Sequence, residues 1–237
     1  MGKKAAVVIG VDKTGNLTPL KSSAKDAEEV AVWLKNEGFK VECLTDKVGA
    51  LTALQVKNAI KSFVTIPARY HMLLVYFSGH GQWHTRTDHW LLSGAPVDTD
   101  EAINLRGAMD LARYSGISNV VFISDACRSI PDFRTGANVN GSDGFPNYQV
   151  FTKLSKIDFF MATSESRSAY ECVINGMPHG VLTYALKSAY ETPKPGMIRD
   201  VTEGGKTVRV VSNRKLEGYL QPKVDKLLAA TGNINLK

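Results

Sequence analysis

Apolar residues in this chain fall into short dense runs, separated by longer stretches where they recur every three or four positions. Residues 5–11, Ala-Ala-Val-Val-Ile-Gly-Val, are almost unbroken. A run that short with no polar face predicts a strand buried on both sides. Over 22–37 the apolar positions are Ala27, Val30, Ala31 and Leu34, the stripe of an amphipathic helix. Ser22 or Ser23 can cap it and Gly38 can end it. The alternation continues. Further strands are predicted at 39–45, 71–79, 119–124, 158–164 and 207–211, and further helices at 52–63, 104–116, 179–190 and 216–230. Strand and helix in turn predict an α/β chain, a three-layer α/β/α sandwich around a mostly parallel sheet. Two Pro- and Gly-rich stretches, 128–157 and 192–206, break the rhythm and read as long loops.

In such sheets ligands bind beyond the carboxyl ends of the strands. The run at 71–79 leaves as Ser78-Gly79-His80-Gly81, and the run at 119–124 as Asp125-Ala126-Cys127-Arg128. If these two strands are neighbours, His80 and Cys127 meet at one sheet end. A thiol beside an imidazole is the arrangement for a thiolate nucleophile with an acid/base partner. A buried cysteine is more often a small hydrophobe, and that reading is kept for Cys43, inside the predicted strand 39–45. For Cys127 the polar neighbours and the matching histidine favour chemistry. Asp125 lies two residues before the thiol, so it points to the same side of the strand. A carboxylate there is costly to desolvate unless a cation meets it.

The bulk composition changes this picture little. The chain has 237 residues, enough for one sizeable core. No apolar run approaches the ~20 residues that span a bilayer, so no membrane partner is expected. Cys43, Cys127 and Cys172 form no CxxC pair or disulfide framework. With no export signal, the expected compartment is the reducing cytoplasm. The net charge is +6. Its excess lies late, where Lys194, Arg199, Lys206, Arg209, Arg214, Lys215, Lys223, Lys226 and Lys237 face only Asp200, Glu203, Glu217 and Asp225. Aromatic residues do not alternate with these charges, so a solvated basic face is expected and no nucleic-acid partner. His80, His84 and His89 lie close in sequence to Asp88, but no HExxH pattern joins them. No GxGxxG or Walker A pattern marks a nucleotide site.

The segments Tyr76-Phe-Ser-Gly-His-Gly81 and Ser124-Asp-Ala-Cys-Arg-Ser129 together resemble the histidine and cysteine motifs of the caspase-like cysteine proteases of clan CD (peptidase C14). Within that group the chain is most similar to bacterial metacaspase- or orthocaspase-type proteins. The resemblance runs on through the first strand–loop–helix, through Asp88 to Asp98, and through Met161 to Glu171 and His179 to Leu186. It implies the caspase-haemoglobinase-like fold. It also implies one catalytic domain over 1–237, with a large-subunit-like part to about 150 and a small-subunit-like part from about 151. Cys127 would be the nucleophile, His80 the general acid, and the backbone N–H groups of Gly81 and Cys127 the oxyanion hole. Caspases that cut after Asp carry Gln where metacaspases carry Asp, here Asp125. Asp26 matches the second acid of the metacaspase specificity pocket, although as a first-turn acid it also suits the helix dipole. Two carboxylates would favour a basic P1 side chain, with Tyr170, Glu171 and Ser164 as candidate pocket walls. Arg128 is expected to point away from Asp125.

The expected activity is therefore cysteine endopeptidase cleavage after Arg or Lys, in a bacterial stress, cell-death or antiphage pathway. Non-basic P1 specificity, or a silent caspase-fold interaction module, are the alternatives. Partners would be protein or peptide substrates, with self-processing at Arg134, Lys153, Lys194, Arg199, Arg214 or Lys215, and further domains or a regulatory partner. No cofactor is expected. Calcium activation, which several members of the family need, has a candidate in Asp98, Asp100 and Glu101, which also read as a solvated loop.

Overall fold

The computed structural model describes residues 2–64, 70–84, 86–129, 139–147, 154–203, 205–230 and 234–236. In chain order the elements are β1 (Lys3–Gly10), α1 (Ser23–Asn36), β2 (Phe39–Thr45), α2 (Ala53–Val64), β3 (Tyr70–Gly79), β4 (Gly81–His84), β5 (Thr87–Leu91), β6 (Ala102–Asn104), α3 (Leu105–Ala112), β7 (Asn119–Ala126), β8 (Lys156–Met161), β9 (Tyr170–Ile174), β10 (Met177–Gly180), α4 (Val181–Glu191), β11 (Ile198–Glu203), β12 (Lys206–Val211), α5 (Asn213–Ala230) and β13 (Ile234–Leu236).

Five strands form the central sheet in the order β2-β1-β3-β7-β8, all neighbours parallel. The period-2 alternation of the central strands decides which core each residue enters. Ala5, Val7, Ile9, Leu73, Val75, Phe77, Val120 and Phe122 pack on one face with Val56, Ile60 and Phe63 of α2 and Ala108 of α3. Ala6, Val8, Leu74, Tyr76, Val121 and Ile123 pack on the other face with α1, α4 and α5, through Val30, Leu34, Leu186 and Leu220. This is the three-layer sandwich read from the sequence. Gly10 shows how closely α1 lies on β1: a Cβ there would sit 2.4 Å from the Ser23 carbonyl oxygen and 2.7 Å from Ala27 Cβ.

Several short elements were not predicted. The stretch expected as loop at 192–206 holds β11, which forms an antiparallel hairpin with β12. A small antiparallel sheet, β4-β5-β6, follows His80 directly. Another, β10-β9-β13, follows β8. Such strands are half polar and three to six residues long, too short to give a clear period. The β9–β10 hairpin did carry a local signal. Asn175 and Gly176 sit at its turn with φ of 53° and 77°, the left-handed pair that Asn-Gly favours. Within the long stretch 128–157, residues 130–138 and 148–153 lie outside the described ones, and with them Arg134 and Lys153.

Candidate active site

β3 and β7 are neighbours, and Gly79 pairs with Ala126. The residues that follow them are His80 and Cys127, so the register places both residues at the carboxyl end of neighbouring strands. Between them Gly81 admits no side chain. A Cβ there would lie 2.5 Å from the Cys127 carbonyl oxygen, 3.0 Å from Ala126 Cβ and 3.2 Å from the His89 carbonyl oxygen. Gly81→Ala is accordingly expected to cost ~1–3 kcal/mol of stability by overpacking. Urea unfolding checks this against Gly49→Ala, where nothing lies within 4 Å.

His80 Nε2 lies 2.8 Å from the carbonyl oxygen of Thr18. A carbonyl only accepts, so Nε2 carries the hydrogen in this contact. Sequence reasoning did not find this partner, because a backbone carbonyl leaves no residue-type signal. Pro19 is the one hint, since a residue before proline is kept out of the helical region.

The thiol is 6% exposed. The Ala169 N–H donates to Cys127 Sγ at 3.2 Å, and Sγ lies 3.7 Å from the Ala169 carbonyl oxygen. The Arg128 N–H donates to the Arg167 carbonyl oxygen at 2.9 Å. The segment between β8 and β9 thus lies across Cys127. Arg128 is paired with Asp88, Nε to Oδ1 at 2.6 Å and Nη2 to Oδ2 at 3.0 Å, and with Glu165 at 3.4 Å. By contrast, Cys43 is half-buried in β2, and burial pushes its thiol up, with Glu28 adding to this. It is a poor nucleophile, in line with its structural reading.

Asp125 is fully buried. Its Oδ2 accepts from the Thr183 N–H at 3.1 Å and the Thr183 hydroxyl at 2.5 Å. Thr183 Oγ1 lies 2.6 Å from the Tyr76 hydroxyl. Since Thr183 gives its hydrogen to Asp125, Tyr76 donates to Thr183. Burial, then the charges of Asp125 and Asp26, hold the Tyr76 phenol well above its ordinary value, so it stays a donor.

A cavity of about 570 Å³ opens beside this group, within the range of ligand sites. Asp125, Ser164, Ser168, Tyr170, Leu182 and, from α5, Asp225 are among its lining residues. Asp26 is also fully buried, but its carboxylate is committed to the start of α4. Oδ2 accepts from the Gly180 N–H at 2.6 Å, and Oδ1 lies 2.9 Å from His179 Nδ1. Both acids therefore end at the first turn of α4, whose dipole favours negative charge. Glu171 turns away from the cavity and is bonded to Lys21 and Ser22.

Among the described residues, Asp26, Glu29 and His179 place possible metal donors within 4.8 Å of one another. Those of Asp26 are engaged by Gly180 and His179, and those of Glu29 by Lys187 and Lys25. Of the calcium candidates, Glu101 accepts from the Ala53 N–H at the start of α2, and Asp98 accepts from the Asp100 N–H. No helix among the described residues is long and apolar enough to cross a membrane.

Comparison with known proteins gives the family. Residues 3–217 match the family model described as caspase domain. The human mucosa-associated lymphoid tissue lymphoma translocation protein 1 is 24% identical over 186 residues, covering 78% of this chain and 21% of the relative. Its mouse homologue matches over the same extent. The chain thus spans about a fifth of the length of these curated relatives. A crystal structure of a Geobacter sulfurreducens protein superposes with a TM-score of 0.54 at 14% identity, covering 99% of this chain and 92% of that one, which shows a shared fold. With a family match reaching over nearly all of its length, the chain belongs to the caspase-domain family of cysteine peptidases.

Proposed function

We propose that the chain is a cysteine endopeptidase that cleaves after a basic P1 residue, with Cys127 as nucleophile and His80 as general acid. The observation that carries the specificity is Asp125, a fully buried carboxylate on the wall of a cavity two residues before the thiol. A guanidinium or ammonium entering there meets an oriented negative charge in a site of low polarity, where charge-assisted hydrogen bonds are strong. Asp26 supports the same field from behind, through the α4 terminus it shares with Asp125.

In the proposed reaction the Cys127 thiolate attacks the P1 carbonyl carbon. The backbone N–H groups of Cys127 and Gly81 receive the oxyanion, each such donor being worth ~10²–10³ in rate. His80, held at Nε2 by Thr18, takes the thiol proton at Nδ1 as the thiolate forms and passes it to the leaving amine. Water then hydrolyses the thioester and frees the thiol.

A second reading, a catalytically silent caspase fold, draws on the cover over Cys127. A peptidase built this way is at rest until residues 164–169 move aside.

Fluorogenic peptides with P1 Arg, Lys, Asp or Ala, with and without calcium, separate these readings. Cleavage after Arg or Lys is expected, and is expected to be absent in Cys127→Ala. Cleavage only after Asp would keep the peptidase and remove the role of Asp125. No cleavage under any condition favours the silent fold. Lys194 and Arg199 are exposed and remain candidates for self-processing, which intact mass after incubation reads directly.

A further inference from the structure

We infer that Glu171 is a positioning residue for His80, acting through the segment 17–22. The inference rests on the peptidase reading for its consequence, but its geometry stands apart from any substrate.

Glu171 lies in β9, where successive side chains point to opposite sides. Its neighbour Tyr170 lines the cavity that Asp125 shares. Glu171 points the other way and is 2% exposed. A buried carboxylate needs hydrogen-bond donors, and the chain supplies them from one place. The Ser22 N–H donates at 2.8 Å and the Ser22 hydroxyl at 2.6 Å. The Lys21 N–H is shared between the two oxygens at 3.2 and 3.3 Å. All three donors belong to the end of the loop that joins β1 to α1.

That loop also carries Thr18, whose carbonyl receives the His80 Nε2 hydrogen at 2.8 Å. Its other ties include Leu17 N–H to the Thr14 carbonyl, Leu20 N–H to the Asp12 carbonyl and Gly15 N–H to the Ser93 carbonyl, with the Asp12 and Lys13 N–H groups on the Asp46 carboxylate. Leu20 and Lys21 adjoin, so the Asp12 and Glu171 bonds fix the chain on either side of one peptide, two residues past Thr18. Without the Glu171 carboxylate the segment loses three donors' worth of anchoring, and Thr18 gains freedom to withdraw its carbonyl. The tautomer and ring angle of His80 then lose the constraint that the Thr18 carbonyl supplies. The strand that walls the specificity cavity with one side chain thus steadies the catalytic histidine with the next.

The experiment reads His80 itself. Long-range ¹H–¹⁵N spectra of histidine-labelled Cys127→Ala protein at pH 8 are compared with and without Glu171→Ala, with His80→Gln giving the assignment. The expected result is a single Nε2–H tautomer for His80 in the parent, and an averaged mixture of both tautomers in Glu171→Ala. Glu171→Gln, which keeps an acceptor oxygen, is expected to restore the single tautomer. With Cys127 present, Glu171→Ala is expected to lower kcat ~10–100-fold with KM nearly unchanged, since small misplacement of a catalytic group costs about that much. A folded Glu171→Ala protein whose His80 signals match the parent's would overturn the inference. Should Glu171→Ala fail to fold, Ser22→Ala, which removes only the hydroxyl donor, carries the same test on the same signals. Because the spectra need no substrate, absence of peptide cleavage by the parent would remove the peptidase reading and leave this inference to be decided by the tautomer.

Discussion

Cys127→Ala and His80→Ala are each expected to lower kcat for an Arg-P1 peptide by ~10⁴–10⁶-fold, and the double variant is expected to be little worse than either. Residues that act as one unit are grossly non-additive, because removing either member already disables the step they share. Here the unit is set by the sheet. Gly79 and Ala126 are register partners, and His80 and Cys127 follow them. Cys43 sits in β2, and its thiol is held up by burial. His179 is paired with Asp26 at the far end of the α4 turn. Single-turnover kinetics on the three variants decide the matter. Multiplying losses in the double variant would mean that Cys127 and His80 act in separate steps.

Asp125 is expected to separate specificity from stability. Asp125→Asn keeps an oxygen that can accept from Thr183 but removes the negative charge. It should lower kcat/KM for P1 Arg by ~10²–10³-fold, since truncating one member of a buried charge pair costs ~2–5 kcal/mol. P1 Ala should be affected far less, and the urea midpoint should barely move. Asp125→Ala removes the acceptor as well. The Thr183 N–H, bonded to Asp125 at 3.1 Å, would then lose its buried acceptor, and the Thr183 hydroxyl would keep only Tyr76. That costs a further ~1–3 kcal/mol in unfolding free energy. Equal loss for Arg and Ala peptides in Asp125→Asn would remove Asp125 from substrate recognition.

The central architecture was legible because fully buried strands write themselves as apolar runs. Residues 5–11, 71–79 and 119–124 fall on β1, β3 and β7 within a few residues. The helices followed from their stripes, with α1 starting one residue after Ser22. His80 and Cys127 could be paired in advance because both lie directly beyond such runs. What could not be read was the bonding of side chains far apart in sequence. Asp26 matched a pocket acid by its place in a motif, yet its oxygens meet Gly180 and His179 more than 150 residues away. Glu171 was set beside Tyr170 as a wall residue, and strand alternation sends it to Ser22 instead. The partner of His80 is a main-chain oxygen, which no residue type encodes.

The cover over Cys127 bears on more than substrate access. Oxidation of a thiol to sulfenic acid and beyond follows its thiolate character and its exposure. At 6% exposure, with the Ala169 N–H against the sulfur, Cys127 is withheld from peroxide by the same contact that withholds it from peptide. Readiness to react and liability to irreversible damage would then rise together if residues 164–169 were lifted. A resting molecule can outlast oxidative conditions that would destroy a working one.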